Sequence, residues 1–528
     1  MANSQEKYYL HIGRWSDLKD PKERTLYRLF EILPGAFTFG VFALAVLLSW
    51  LTPAWVSLFI LIFILYWFAR LVYFGFHLKA SYSQMRSNEK TDWLEKLNEL
   101  SPSQYQAPVS SWHDLYHLVI VPTYQEPLEI LRATLSSLRY SDYSKERMIV
   151  VLGMEERAGK EGRQTAELLE KEFKDMFFKF LVTAHPDNLP NETAGKASNE
   201  TWATKKAKEE IIDLLGIPYS RVILTSLDSD SVVFPKYFSC LAYYFLTTPK
   251  PLRTSFQPIP LFFNNLMEAP AISRVFSFNS TFWHMMNQSR PEKLITFSTH
   301  SMSFQAVVDV GFKQTNVVSD DSRIFWQCYL KYDGDYKTQP VYYPISMDAN
   351  AALSFWQTLK NIYKQQRRWA YGVADVPYFL FGFLKNKKIP FWKKVSPAWE
   401  VFFGFWSWAS VSIMIFLLSW LPLWLGGESF SQSLISYNLP RLTSGMLRVG
   451  MLGLLGSIYL MFLLFPINFS VHGRRKIIFF VLQWALLPVV MVFSSIPALE
   501  AQIRLMAQRY LGFWVTPKFR QKSQNTKQ

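Results

Sequence analysis

Cysteine is nearly absent, with Cys240 and Cys328 the only two in 528 residues. Neither a disulfide framework nor a cysteine zinc site can be built from that pair. No Gly-x-Gly-x-x-Gly turn follows the first strand-like run, which argues against a dinucleotide-binding domain. The first thirty residues are polar and mixed in charge, so they lack the order of a cleavable signal peptide. Charge is missing altogether from five hydrophobic runs: Ile32–Leu51, Pro53–Ala69, Val401–Gly427, Val449–Val471 and Ile477–Leu499. A membrane-spanning helix needs roughly 20 mostly apolar residues, and core helices of soluble proteins are usually shorter. Transporters often keep ionisable groups inside such runs, so their absence counts against a transporter.

What is abundant fits the same picture. Half of the residues are hydrophobic, 17% are aromatic and 19 are tryptophan, as suits long membrane–water boundaries. The net charge is +15, but the basic residues cluster beside hydrophobic runs, as in Lys385-Asn386-Lys387-Lys388 and Lys393-Lys394. That placement favours anionic membrane lipids over nucleic acid. Leu51-Thr52-Pro53 reads as a tight turn in a helical hairpin. Residues 1–31, the turn Gly473-Arg474-Arg475-Lys476 and the tail beyond Glu500 are all basic, and the positive-inside rule wants all three cytoplasmic. Five crossings cannot satisfy that. One run is re-entrant, Val401–Gly427 is not a single crossing, or the tail lies outside.

Between about Thr91 and Gly372 the pattern changes. His117–Val121, Met148–Leu152, Phe178–Val182 and Val222–Leu224 read as buried strands, with helical stretches at Leu128–Leu138, Thr165–Lys174 and Lys196–Leu215. Strand–helix alternation predicts a Rossmann-like α/β domain with a parallel sheet, whose ligands bind beyond the carboxyl ends of the strands.

Three clusters there carry chemistry. Asp228 and Asp230, spaced i and i+2 after a buried strand, can share a hard cation such as Mg²⁺ or Mn²⁺ with substrate phosphates; alone, the same pattern is a solvated turn. Ser319-Asp320-Asp321 precedes the helical stretch Ser322–Leu330. Its carboxylates either favour the helix N-terminus or supply a general base. Gln365-Gln366-Arg367-Arg368-Trp369 ends the stretch Leu353–Trp369. It offers a sugar-stacking face and diphosphate donors, or a membrane-interface anchor.

In this order the three clusters resemble the membrane-integrated family 2 glycosyltransferases, the group containing cellulose, chitin and hyaluronan synthases. The resemblance covers about residues 115–372 and the helix–domain–helix layout. The Pro-x-Tyr-Asn-Glu-like turn reads Pro122-Thr123-Tyr124-Gln125-Glu126, with Gln in the Asn place. The acidic pair that reaches the nucleobase is Glu155-Glu156, and the Gly-Lys turn is Gly195-Lys196, with Asn199 beyond it. The resemblance implies a GT-A-type catalytic domain combined with an α-helical transmembrane region. It implies donor-nucleotide contacts from Thr123, Tyr124, Glu126, Glu155, Glu156, Lys196 and Asp228, and metal on Asp228 and Asp230. It makes Asp321 the base, beside Asp320, with Gln365, Arg368 and Trp369 completing the catalytic set.

The expected activity is that of an inverting hexosyltransferase. It would move a sugar from a nucleotide-sugar donor, UDP-linked by family default, to a polysaccharide or oligosaccharide at the cytoplasmic membrane face. Transfer of one sugar to a membrane lipid is the alternative, and a non-catalytic transporter or scaffold a further one. The expected division is a cytoplasmic segment 1–31, a hairpin 32–76, the catalytic domain 91–372, an amphipathic interfacial segment 373–400 that includes Tyr378–Val395, helices 401–499 and a basic tail 500–528. The aromatic, Met-rich stretch Phe256–Met286 is longer than in simpler relatives. It lines an acceptor channel, lies on the membrane, or is bulk packing.

Overall fold

The computed structural model describes residues 7–465 and 469–520. Asp20 caps the helix Pro21–Leu51 by accepting from the Lys22 amide, and Pro21 sits in the first turn, where no hydrogen bond is lost. Thr52 ends that helix and Pro53 opens the next, Pro53–Lys90, so the expected hairpin turn is present. Among the described residues five helices are long and apolar enough to cross a membrane: these two, Phe391–Phe416, Leu434–Leu464 and Arg475–Met506.

The boundaries differ from the sequence reading: the first helix begins at Pro21 rather than Ile32, the second runs on to Lys90, and the third begins at Phe391. The run Val401–Gly427 is not one helix; after Phe416 it breaks into short turns at Leu418–Trp420 and Leu421–Leu425, around Pro422. The fourth helix starts upstream at Leu434 and takes in Arg441 and Arg448, while the end of Val449–Val471 lies partly outside the described residues. Gly473–Lys476 is not a turn but part of the helix Phe469–Leu482.

The middle of the chain forms one eight-stranded sheet in the order β3-β2-β1-β4-β7-β6-β8-β5. The strands are β1 Tyr116–Thr123, β2 Met148–Glu155, β3 Lys179–His185, β4 Val222–Ser226, β5 Val232–Val233, β6 Thr254–Leu261, β7 His300–Ser303 and β8 Lys337–Ser346. β3, β2, β1 and β4 are parallel, as expected. The sheet as a whole is mixed, because β7 runs antiparallel to both β4 and β6, and β5 antiparallel to β8. β1 and β2 are buried almost throughout, which explains their unbroken apolar sequences. β6 carries Pro258 and Pro260, and its register with β8 shifts between Gln257 and Ile259, where a proline can be absorbed. The helix Lys196–Ala207 continues as a π-turn, Lys208–Ile212.

Much of the stretch Phe256–Met286 is packed inside the protein, and its Phe262, Ser273, Phe276 and Ser277 line a small cavity with Gln365 and Trp369. The stretch contains β6 and most of the helix Ala271–Gln288, whose Phe278, Phe282 and Met285 are buried with Leu78, Met85 and Trp484. The segment expected to lie at the membrane surface divides in two. Tyr378, Phe379, Phe381 and Phe383 are buried in the main core, whereas Phe391, Trp392 and Trp399 are exposed.

Candidate active site

The strand register sets the site. β1, β2 and β3 end level with one another, since Thr123 faces Met154 and Glu155 faces His185. β4 ends at Ser226, opposite His300, so Asp228, Asp230 and Ser298 emerge at the same edge.

At the β1 end, Glu126 folds back on its own turn. One carboxylate oxygen accepts from the Thr123 hydroxyl and the Tyr124 amide, at 2.7 Å each, and the other from Ser229 Oγ at 3.0 Å. Gln125, where relatives have Asn, leaves this turn intact. The acidic pair after β2 parts company. Glu155 is buried and ion-paired to Arg157, which lies over the Tyr124 ring, whereas Glu156 turns outward to Arg163. Glu155 and Arg157 line a cavity of about 230 Å³ with His185, Asp187, Asn188 and Glu192. Asn199 staples the two strand ends by donating to the Gly153 and Thr123 carbonyls.

Lys196 lies at the centre. Its Nζ is 2.6 Å from Asp228 Oδ1 and 2.9 Å from Asp321 Oδ1. Burial works against the ammonium, but Asp228 and then Asp321 outweigh it and hold Lys196 protonated well above its usual range. Burial likewise opposes the Asp228 charge; Lys196 and the Ser298 hydroxyl, at 2.6 Å, reverse that and keep it ionised. Asp320 and Asp321 occupy the first turn of the helix Asp320–Lys331, and the Ser319 side chain does not cap it. Asp321 faces the cleft with 24% of its side chain exposed, against 3% for Asp320. Burial and then Asp321 push the Asp320 carboxyl up to about 7, whereas Lys196 and Lys313 overcome burial at Asp321 and hold it down.

Gln365 and Trp369 stand on the helix Phe355–Ala370, on the far side of the cleft. Gln365 accepts from Asn350 Nδ2 at 3.2 Å, and the Trp369 ring lies 6.4 Å from that of Phe262. Arg368 is half-buried, its Nε is enclosed and makes no hydrogen bond, and its guanidinium covers the Phe513 ring at 4.7 Å.

Phe513 belongs to the tail, which the sequence reads as a basic extension and the structure places in the site. Arg28 caps the helix Leu487–Met506 by donating to the Leu505 and Met506 carbonyls, and Tyr510 bonds Glu31, so the root of the tail is fixed. Beyond it, Phe513 rests on Gly195. A Cβ there would come within 2.5 Å of the ring, and Gly195 also has a φ of +151°, so both contact and backbone call for glycine. Lys518 Nζ reaches Asp230 Oδ2 at 2.5 Å, and Arg520 holds Asp348 at 2.6 Å. Asp348, at the end of β8, donates its amide to Asp230 at 3.1 Å. Asp348, Lys313, Ser298, Lys518 and Arg520 all escape the motif reading. A usable signal exists for the tail: Phe513-Trp514-Val515 and Phe519 are more apolar than a solvated basic extension would carry.

Among the described residues no group of three or more His, Cys, Asp or Glu side chains is arranged to hold a metal. The donor chemistry nonetheless suits a hard cation. Asp230 Oδ1 is buried without a hydrogen-bond partner, and its other oxygen accepts from the Lys518 ammonium and the Asp348 amide.

A mixed α/β sheet with carboxylates at its strand ends, closed by an arginine–tryptophan helix, agrees with a nucleotide-sugar glycosyltransferase. The sequence model of glycosyl transferase family group 2 matches residues 223–499, just over half of the chain, and the chain belongs to that family. A search of curated protein sequences found no match. Among solved structures, the chain is similar to the mannosyltransferase PcManGT from Pyrobaculum calidifontis in complex with GDP-Man and Mn²⁺. Identity is 13%, over 83% of this chain and 98% of that one, with a TM-score of 0.39. It is also similar to residues 1–349 of S. aureus TarS in complex with UDP-GlcNAc, at 15% identity over 58% of this chain and 87% of that one, with a TM-score of 0.31.

Proposed function

We propose that this enzyme transfers a sugar, with inversion, from a UDP-linked donor to a growing polysaccharide or oligosaccharide, as cellulose, chitin and hyaluronan synthases do. The observation that carries the reading is Lys196 bridging Asp228 and Asp321, which sets a general-base candidate beside the donor carboxylates. The nucleobase lies in the cavity of Glu155 and Arg157, next to Thr123, Tyr124 and Glu126. Glu156 is left at its rim. Asp228 and Asp230 would hold Mg²⁺ or Mn²⁺, which neutralises charge on the departing diphosphate when bound. Asp321 takes the proton of the acceptor hydroxyl as its oxygen bonds to the anomeric carbon. The bond from that carbon to the diphosphate breaks on the opposite face, and the electron pair leaves with the phosphate. Arg368 meets that charge, and Trp369 with Gln365 supports the acceptor sugar. Lys196, drawn to the diphosphate, releases Asp321 for its task.

Incubation of the purified enzyme and Mn²⁺ with radiolabelled UDP-glucose, UDP-N-acetylglucosamine and GDP-mannose tests this. Label from a UDP-sugar is expected in high-mass, water-soluble or insoluble glycan. Label entering only the organic extract would overturn the polymer reading in favour of a lipid acceptor.

The membrane arrangement follows from what the chain ends touch. Lys7 bonds Asp333 and the Leu330 carbonyl, while Lys518 bonds Asp230, so these two residues both lie against the catalytic domain. On this reading an even number of crossings would separate them, and one of the five apolar helices would not cross. We assign that role to the last helix. Val490 packs with Val275 and Ile362, the Phe493 ring meets Phe276 and Tyr363, and Glu500 binds Tyr363 and Arg367. Reporter fusions at residues 1 and 528 are expected to report the same, cytoplasmic side. Opposite sides would refute the assignment.

A further inference from the structure

One buried cation in the catalytic domain is used by none of these steps. Lys313 lies in the loop before the helix Asp320–Lys331, with only 5% of its side chain exposed. Gly311 and Phe312 precede it with φ of +78° and +72°, and this reversal turns the lysine inward. Its carbonyl accepts from Thr201 Oγ1 at 3.0 Å, which pins the loop to the helix Lys196–Ala207. The ammonium contacts Glu200 Oε2 at 3.0 Å and Ser226 Oγ at 3.2 Å. On its other side stand Asp321 Oδ1 at 3.6 Å and Asp320 Oδ2 at 3.7 Å.

Lys196 and Glu200 are four residues apart on one helix and so share a face. The result is a line of alternating charge through the domain: Asp228, Lys196, Asp321, Lys313, Glu200. Each aspartate of the line has a cation beside it, but the two cations are not equivalent. Lys196 also sits on Asp228, where the donor's diphosphate would compete for it. Lys313 is seated on a glutamate that is 1% exposed and out of any ligand's reach.

We propose that Lys313 is a positioning residue for the transfer step: from its seat on Glu200 it holds Asp321 toward the acceptor after Lys196 has turned to the donor. The proposal rests on the reading of Asp321 as the base. It explains why a lysine is buried at this place together with its own dedicated counter-charge. An unpaired buried lysine would be strongly unfavourable, and a purely structural filler could be apolar at lower cost.

The test uses the full-length enzyme in detergent micelles, with the donor and acceptor that the wild type turns over. Lys313→Met should lower kcat about 100-fold, the loss typical of a misplaced reacting group, while the donor KM stays within about 3-fold. Lys313→Arg keeps the charge and should recover most of the rate. Lys313→Met combined with Glu200→Leu removes both buried charges; it should melt at the wild-type temperature yet remain as slow as Lys313→Met alone. Near-wild-type turnover in that double variant would show that the pair is only structural and overturn the proposal. So would a raised donor KM with unchanged kcat in Lys313→Met. Asp321→Asn, measured alongside, separates the two levels: if it transfers sugar normally, the base assignment fails, whatever Lys313 does.

Discussion

Asp321→Asn is expected to abolish sugar transfer and leave donor binding intact. The amide is nearly the same shape, and its oxygen can still accept from Lys196, now 2.9 Å from Asp321 Oδ1, so the local geometry persists. What disappears is the basic lone pair that receives the acceptor's proton. General bases contribute about 10²- to 10⁴-fold to such steps, and the loss of kcat should fall in that range. Nucleoside diphosphate release measures the first quantity, and calorimetric titration with UDP the second. If turnover stays near normal, the proton must go elsewhere. Asp320, the adjoining carboxylate in the first turn of the same helix, is then the candidate.

The second large effect concerns the tail. Lys518 occupies one oxygen of Asp230 and Arg520 holds Asp348, so in this state the carboxylate proposed to hold the metal is already paired. Lys518→Met with Arg520→Met should lower the Mn²⁺ concentration needed for half-maximal donor binding. Removing one partner of a buried ion pair costs about 3–5 kcal/mol, so the closed state should lose about 150- to 4500-fold in weight. Mn²⁺ titrations of UDP binding, read by calorimetry, give the shift directly. An unchanged half-saturation would mean that tail and metal do not share Asp230.

The parts of this molecule that could be read from its residues are those where one physical effect dominates. β1, β2 and β4 are covered on both faces, so their sequences are nearly continuous hydrophobic runs, and Asp228 and Asp230 stand out as soon as β4 stops. The antiparallel half is harder to see. β6 contains two prolines and a glutamine, β7 is four residues of His, Ser and Met, and neither shows a period. Lys313 is one lysine among many until Glu200, distant in sequence, is brought beside it. Tyr378–Phe383 misleads in the opposite sense: aromatic residues near a basic cluster suggest a lipid surface, but the core of the catalytic domain claims these rings first.

The tail also sets a concentration scale. Because Tyr510 and Arg28 anchor its root, its lysine is never far from Asp230, and tethering of this kind corresponds to an effective concentration of about the millimolar range. Such an internal competitor cannot be diluted away. Its grip would be the same in a dilute assay as in a crowded membrane, and a rise in metal and donor would displace it. An enzyme cut after Arg509 would lose this restraint, and a free peptide of residues 510–520 would restore it only when supplied near that same local concentration. Substrate level, rather than enzyme abundance, would then decide how much of this protein is open for work.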